Sequence, residues 1–408
     1  MPKKNIVILG AGFGGITAAL TLAKGLGERS DEYEIILVDR HQHQLYTPAL
    51  YEIAAIPRQS VSTDTLKNSI LIPLSDIITG KAIRFLADEF IGLKPADKRI
   101  LLRSSGEVAY EFCVFALGSE TNYFDIPGLN TYGYPLKTFN DALRLRNAME
   151  ELAKKEGSGE VIIGGAGPSG VEIAAEFINF FCAIEASMGP GEKICRTRLT
   201  LVEASAEILP GFGPWIVRRA RNRLKDLGIR IRTATKIQSV DQNHILYQDG
   251  AREPYDILVW TGGVKAPAIL SSTGLVLADK GSLMANDYLE AAGGNGFVFS
   301  IGDNAALSDH LAGKPLPGNI PVAEAEARVA AKNILAAIKG RPKQKFIPRD
   351  AYPFVLALGR KYALADLAHV HISGLPGWCV KQLVELRYLV SILPLRRALQ
   401  IWRLGIRI

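Results

Sequence analysis

Two short stretches of this 408-residue chain carry residue types that hold a phosphate-bearing ligand through backbone alone. The first is Gly10-Ala11-Gly12-Phe13-Gly14-Gly15, which follows the apolar run 5–9 and opens a helical pattern over 16–24. Glycine at 10 permits a tight turn, glycine at 12 lets the backbone approach a pyrophosphate, and glycine at 15 lets a helix pack closely on a strand. A helix starting there aims unpaired N–H groups and a positive dipole end at the phosphates. A second apolar run, 34–38, ends in Asp39, placed to accept hydrogen bonds from ribose hydroxyls. The unit recurs as the run 160–163, Gly165-Ala166-Gly167-Pro168-Ser169-Gly170, a helical pattern over 171–177 and the run 199–202 ending in Glu203. An acid at that point suits NADH, since a 2′-phosphate would meet repulsion; the alternative is an ordinary strand-end acid. Glu203 lies farther from its glycines than Asp39 does, and an extra helical segment over 180–188, followed by Gly189-Pro190-Gly191, fills the difference. Two such units imply two dinucleotides, one delivering a hydride and the other a bound acceptor.

The elements that must position these turns are strand, turn, helix and strand, twice over, which predicts an α/β fold with two Rossmann-like dinucleotide-binding units. A chain of this length has room for two or three domains. Composition is globular, 48% apolar and 22% charged. The net charge of +7 is concentrated in the tail, where residues 381–408 carry Lys381, Arg387, Arg396, Arg397, Arg403 and Arg407 against Glu385. Arg396, Gln400, Arg403 and Arg407 fall on one helical stripe, and Leu395, Ala398, Leu399, Trp402 and Ile406 on the adjacent apolar one, with Pro394 dividing this helix from a preceding one. That pattern suits a helix pair lying on a membrane surface; a helix docked on the core, or a dimer contact, is the alternative. Nucleic acid is not expected, because the basic residues alternate with large aliphatics and lack a recognition fold.

Four cysteines, Cys113, Cys182, Cys195 and Cys379, make no close pair, which argues against a disulfide scaffold, a zinc site and a dithiol centre, and favours a reducing compartment. The histidines show no metal-ligand spacing, and no metal is expected. Residues 1–20 read as strand and turn, not signal peptide, and no charge-free run reaches the length of a membrane span.

Further segments resemble the pyridine nucleotide–disulfide oxidoreductase-like flavoproteins. Tyr110–Ser119 resembles the strand that leaves their FAD domain, 255–264 the strand that ends their inserted NAD domain, and 296–303, closing on Gly302-Asp303, the strand of the returning half. Within that group the chain most resembles the type II, non-proton-pumping NADH:quinone oxidoreductases. The segment Asp39-Arg40-His41-Gln42-His43-Gln44-Leu45-Tyr46-Thr47-Pro48-Ala49-Leu50-Tyr51-Glu52 is similar to their FAD-embracing segment, 167–172, 208–212 and Trp260-Thr261-Gly262-Gly263-Val264 are close to their forms, and 372–378 resembles the start of their membrane-docking helices.

The resemblance implies a discontinuous FAD-binding domain over 1–117 and 293–340, an NAD(H)-binding domain over 130–265 and a membrane-docking module over 346–408. It places Gly10, Gly12, Phe13, Gly14, Gly15, Asp39, Arg40, Ala116, Leu117, Gly118, Gly302, Asp303 and Val322 at FAD, with Asp303 on its ribityl or pyrophosphate-proximal hydroxyls. Gly165, Gly167, Pro168, Ser169, Gly170, Glu203, Thr261, Gly262 and Gly263 fall at NADH. Thr47 and Pro48 line the isoalloxazine, or are ordinary turn residues. Glu172 lies near nicotinamide and quinone, or merely complements its own helix dipole. Asn319 reads as a helix cap with Pro321 in the first turn, and a helix so placed favours negative charge at the flavin edge. One departure concerns the quinone pocket, where the family carries two glutamines: Pro321 and Ala325 stand at those positions, with Glu324 or Glu326 as substitutes or as solvated helix acids.

Hydride from NADH to flavin, then electrons to a membrane quinone, is therefore the expected activity, in a peripheral homodimer on the cytoplasmic face of the cell membrane. A disulfide reductase or sulfide:quinone oxidoreductase would need flavin-side cysteines that the sequence lacks. A soluble ferredoxin- or rubredoxin-type reductase, or an NADH-binding redox sensor, remains the alternative.

Overall fold

The computed structural model describes residues 3–155, 159–187, 196–309, 314–316, 318–349, 352–368 and 370–407. Along the chain run β1 (Lys4–Leu9), α1 (Phe13–Leu26), β2 (Tyr33–Asp39), α2 (Leu50–Ala54), α3 (Thr63–Ile70), β3 (Ile83–Ala87) and β4 (Phe112–Phe115). Then follow β5 (Gly133–Pro135), α4 (Phe139–Lys154), β6 (Glu160–Gly164), α5 (Pro168–Ser187), β7 (Arg198–Val202), α6 (Pro214–Asp226), β8 (Arg230–Arg232) and β9 (Ile257–Trp260). The chain returns through β10 (Val298–Ser300) and α7 (Ile320–Ile338), and ends in α8 (Leu375–Ile392) and α9 (Leu395–Arg407).

Two five-stranded parallel sheets result, in the orders β10-β4-β1-β2-β3 and β5-β9-β6-β7-β8. In each, the strand that feeds a glycine turn lies centrally and is apolar on both faces: Ile6, Val7, Ile8 and Leu9 in β1, and Val161, Ile162 and Ile163 in β6, are at most 1% exposed. The sheets are linked by the antiparallel pairing of Glu120–Thr121 with Val264–Lys265. Because β10 pairs with β4, residues more than 180 positions apart close the first sheet. Helix α7 then packs along α1 on that sheet's face.

The C-terminal segment forms a three-stranded antiparallel sheet, Phe354–Ala357, Ala363–Asp366 and His371–Gly374, against which α8 rests. Pro376 sits in the first turn of α8, and α9 begins straight after Pro394, the division expected from the sequence. The apolar stripe of α9 is covered in part by protein, while Leu395 at its start is exposed. Ala398 and Ile401 are buried, Trp402 is half-buried with its indole N–H donating to the Gln382 carbonyl (2.9 Å), and α9 packs on α3 and α8. In the C-terminal helices the exposed large apolar residues are Leu375, Leu383, Val384 and Val390 of α8 and Leu395 at the start of α9. Among the described residues no helix is long and apolar enough to cross a membrane.

Two further expectations are corrected. The residues after the second glycine turn form one uninterrupted helix, α5, with no separate segment from 180; Gly189-Pro190-Gly191 lies outside the described residues. Cys182 is disulfide-bonded, against the reading of the cysteines as unpaired, while Cys113 and Cys379 are free thiols.

Candidate functional site

The two glycine turns adopt one backbone design. Gly10 has φ +101°, and a Cβ there would lie 2.3 Å from the Ala116 carbonyl oxygen; Gly165 has φ +97°, with Gly262 Cα at 2.4 Å from such an atom. A Cβ on Gly15 would strike the Gly10 carbonyl oxygen at 1.8 Å, and one on Gly170 the Gly165 carbonyl oxygen at 1.9 Å. At Gly12 and Gly167 an added Cβ meets nothing within 4 Å, so the space before both turns is open to a ligand. Gly12 caps α1 without any side-chain hydrogen bond, which leaves the first N–H groups for an anion.

The strand-end acids do more than the sequence suggested. Asp39 accepts hydrogen bonds from the N–H groups of Ala11 (2.7 Å) and His41 (2.8 Å). Glu203 repeats this with Ala166 (2.7 Å) and Ser205 (2.8 Å). Each carboxylate thereby pins its glycine turn to the loop beyond the next strand, and keeps lone pairs free for a ribose. These contacts fit a dinucleotide in each cradle.

The first cradle is walled by chain from far away. Ile301 and the Ala323 carbonyl close over Gly14, and Ala116 is buried, with Leu117 and Gly118 continuing past it. Asp303 accepts from the Ser119 hydroxyl (2.5 Å), which accepts in turn from Lys137 (2.8 Å). Burial lowers the Lys137 ammonium, an effect that the Asp303 charge opposes. Asn319 caps α7 by accepting from Val322 N–H (3.0 Å), and the start of this helix lies against Gly302 and Gly14, as its Ala323 contacts show. Pro321 is exposed and Ala325 half-buried. Glu324 and Glu326 are both buried, so neither is a solvated helix acid. Glu324 pairs with Arg328 (2.8 Å), while Glu326 accepts from Gly302 N–H (2.5 Å) and is pushed up to about 8 by burial. Arg40 and Thr47 are exposed; Pro48 is half-buried in a turn leading to α2.

In the second cradle Thr261 donates to the Gly165 carbonyl (2.9 Å), and the Trp260 ring lies against Gly164 and Gly262. Pro168 is half-buried and Ser169 exposed, and Gly263 sits beneath the exposed Phe124 ring.

Glu172 does not merely cap its own helix. Its carboxylate accepts from Ala357 N–H (3.2 Å) and faces a group of ionisable side chains from three helices: Glu52 on α2, Glu176 on α5, and Lys381 and Glu385 on α8. Lys381 forms an ion pair with Glu52 (2.5 Å). Burial alone would lower the Lys381 ammonium, but Glu52 and Glu385 hold it well above its ordinary value. Burial pushes Glu172 up to about 8, with Ala357 and Lys381 opposing and Glu52 adding to it. Burial and the Glu52 charge push Glu176 and Glu385 up to about 7 each. Sequence reasoning counted Lys381 and Glu385 only among the charges of the tail. The signal was their spacing with Tyr388, which puts all three on one helical stripe, matched by Glu172 and Glu176 one turn apart. Among the described residues no group of His, Cys, Asp and Glu is arranged to hold a metal.

Comparisons with known proteins agree with this geometry. Residues 4–327 match the family model "Pyridine nucleotide-disulphide oxidoreductase". The chain is 27% identical over 395 residues to demethylphylloquinone reductase NdbB of Synechocystis, covering 94% of this chain and 92% of that protein. It is 28% identical over 394 residues to a type II NADH:quinone oxidoreductase of Haemophilus influenzae, covering 90% and 87%. Among solved structures it shares the fold of NDH2 from Plasmodium falciparum in complex with NADH, with a TM-score of 0.84 at 18% identity, over 100% of this chain and 98% of that one. With both glycine cradles inside the matched span, the chain belongs to the pyridine nucleotide–disulphide oxidoreductase family.

Proposed function

We propose that this chain is an FAD-dependent NADH:quinone oxidoreductase that passes electrons from NADH to a membrane quinone without pumping protons. The observation that carries the reading is the pair of matched cradles, one enclosed and one open. FAD, when bound, supplies the two-electron acceptor between the two substrates. The chain's residues bind, orient and handle protons. The glycine turns and the acids Asp39 and Glu203 fix the two dinucleotides, and the start of α7 places its positive dipole end beside the first cradle.

Quinone plus NADH plus one proton gives quinol and NAD⁺, so the site must supply a proton beyond the one the hydride carries. Glu172, whose proton affinity burial raises, and which lies with Glu176, Glu385 and the Glu52–Lys381 pair, is suited to hold it. The proposed domain division is the one given by the sequence: FAD at 1–117 and 293–340, NADH at 130–265, and a docking module at 346–408.

The exposed apolar residues of α8, together with the exposed Arg387, Arg396 and Arg403, support peripheral attachment to an anionic membrane surface; the cytoplasmic face is proposed from the family resemblance alone. Family resemblance alone supports a homodimer. Anaerobic stopped-flow is the test of the activity. NADH should bleach the yellow protein, and a short-chain menaquinone analogue should restore the colour; bleaching without restoration contradicts the quinone reading. For the membrane, Leu383→Asp with Leu395→Asp should abolish co-sedimentation with anionic phospholipid vesicles while NADH bleaching persists. Unchanged sedimentation removes this surface as the foot.

A further inference from the structure

Beside the first cradle two hydrogen-bonding atoms of opposite kind lack a protein counterpart. Gln44, in the strand His43–Leu45, is 1% exposed; its amide nitrogen donates to the Tyr388 hydroxyl, while its Oε1 meets no donor. Tyr388 reaches in from α8, 4.8 Å from the Phe13 ring and 5.7 Å from the Tyr46 ring, centroid to centroid. Because its oxygen accepts from Gln44, its own proton must be offered elsewhere, and among the described residues it makes no bond to protein. Burial holds this phenol far above its ordinary range, so it stays a donor at any working pH. Buried polar atoms are rarely left unmatched, and two such atoms side by side call for a ligand with one acceptor and one donor.

The start of α7 lies close by, since the Glu324 charge acts on Tyr388. That turn carries Pro321 and Ala325, which offer no side-chain hydrogen bond. A glutamine amide supplies one donor and one acceptor. Gln44 and Tyr388 together present the same two functions from a different strand and helix. Phe13, Tyr46 and Tyr388 form an aromatic cluster around the pair.

We propose that Gln44 and Tyr388 bind the quinone head group, the Tyr388 hydroxyl donating to a carbonyl of the oxidised form and Gln44 Oε1 accepting from a hydroxyl of the quinol. This replaces the glutamine contacts that the resemblance places at 321 and 325, and it rests on the quinone reading above.

Tyr388→Phe keeps the ring and removes the donor; Gln44→Leu removes the acceptor. Both are assayed as FAD-loaded full-length protein, with the two half-reactions separated. NADH bleaching should stay within about twofold of the parent protein, and so should turnover with ferricyanide, which needs no hydrogen bond. Tyr388→Phe should raise KM for a short-chain menaquinone analogue about tenfold, the size of one lost buried hydrogen bond, with little change in product inhibition by its quinol. Gln44→Leu should do the reverse, weakening quinol inhibition more than it raises KM. Unchanged KM and inhibition in both variants overturn the assignment, as does loss of FAD on desalting, which would place the pair in the flavin pocket. If the parent protein itself is not reoxidised by any quinone, the proposed function falls as well, whereas parental turnover with indifferent variants removes the pair alone.

Discussion

In the first cradle Gly14 lies buried beneath Ile301 and the Ala323 carbonyl, whereas in the second Ser169 stands exposed at the position of Gly14 and the lip is the exposed Phe124. The glycines and acids beneath are nearly superposable in their contacts. What differs is the enclosure. The returning segment through Ile301 and the start of α7 converge on the first turn. A ligand held under distant chain leaves slowly because elements must part; a ligand on an open turn exchanges. On the proposed function, the same backbone device serves a resident cofactor at one end and a travelling substrate at the other.

The largest effects should come from filling the turns. Gly15→Ala and Gly170→Ala each drive a methyl group into a carbonyl oxygen under 2 Å away. Gly15→Ala should yield colourless protein, while Gly170→Ala should stay yellow and fail to bleach with NADH; flavin loss from Gly170→Ala would break the division of labour. Next, Glu172→Gln should slow turnover about 100-fold, as loss of a proton-handling group does, with FAD content unchanged. Unaltered kcat would remove Glu172 from the chemistry. A smaller effect is expected where the acids pin their turns: Asp39→Asn should raise the Kd for FAD and Glu203→Gln the KM for NADH, each by about tenfold, one hydrogen bond's worth, with no cross-effect.

The smallest concerns pH. Glu172, Glu176, Glu326 and Glu385 bind protons more tightly folded than unfolded, so between the ordinary carboxylate range and about 7 to 8 the native state holds more protons and stability falls as pH rises. Asp88 and Glu150, held down to about 2, act oppositely and cost stability only as pH falls below the usual range. Thermal unfolding should therefore show Tm declining from about pH 5 to about pH 8, with a flatter slope in Glu385→Gln. A rising Tm over that window would mean these carboxyls are not held protonated.

Local features were readable from sequence because their causes are local. The glycine turns, the acids at the strand ends and the Asn319 cap each depend on residues within a few positions or on the next strand. The pocket side chains were not, because their partners are remote: Lys381 meets Glu52 from 329 residues away, and Tyr388 meets Gln44 from 344. Helix α9 marks another boundary. Its amphipathic spacing required that one face be covered, and periodicity cannot say whether lipid or protein covers it; Ala398 and Ile401 went to α3 and α8. Glu326 shows the same limit, since a helix acid looks alike in sequence whether water or Gly302 N–H receives it.

The most direct test of an enclosed first cradle and an open second one is retention. Protein loaded with both FAD and NAD⁺ is passed through a desalting column and the two nucleotides are quantified in the protein fraction. Flavin should remain at close to one per chain with the nicotinamide nucleotide gone; flavin washing out as readily as NAD⁺ would contradict the account.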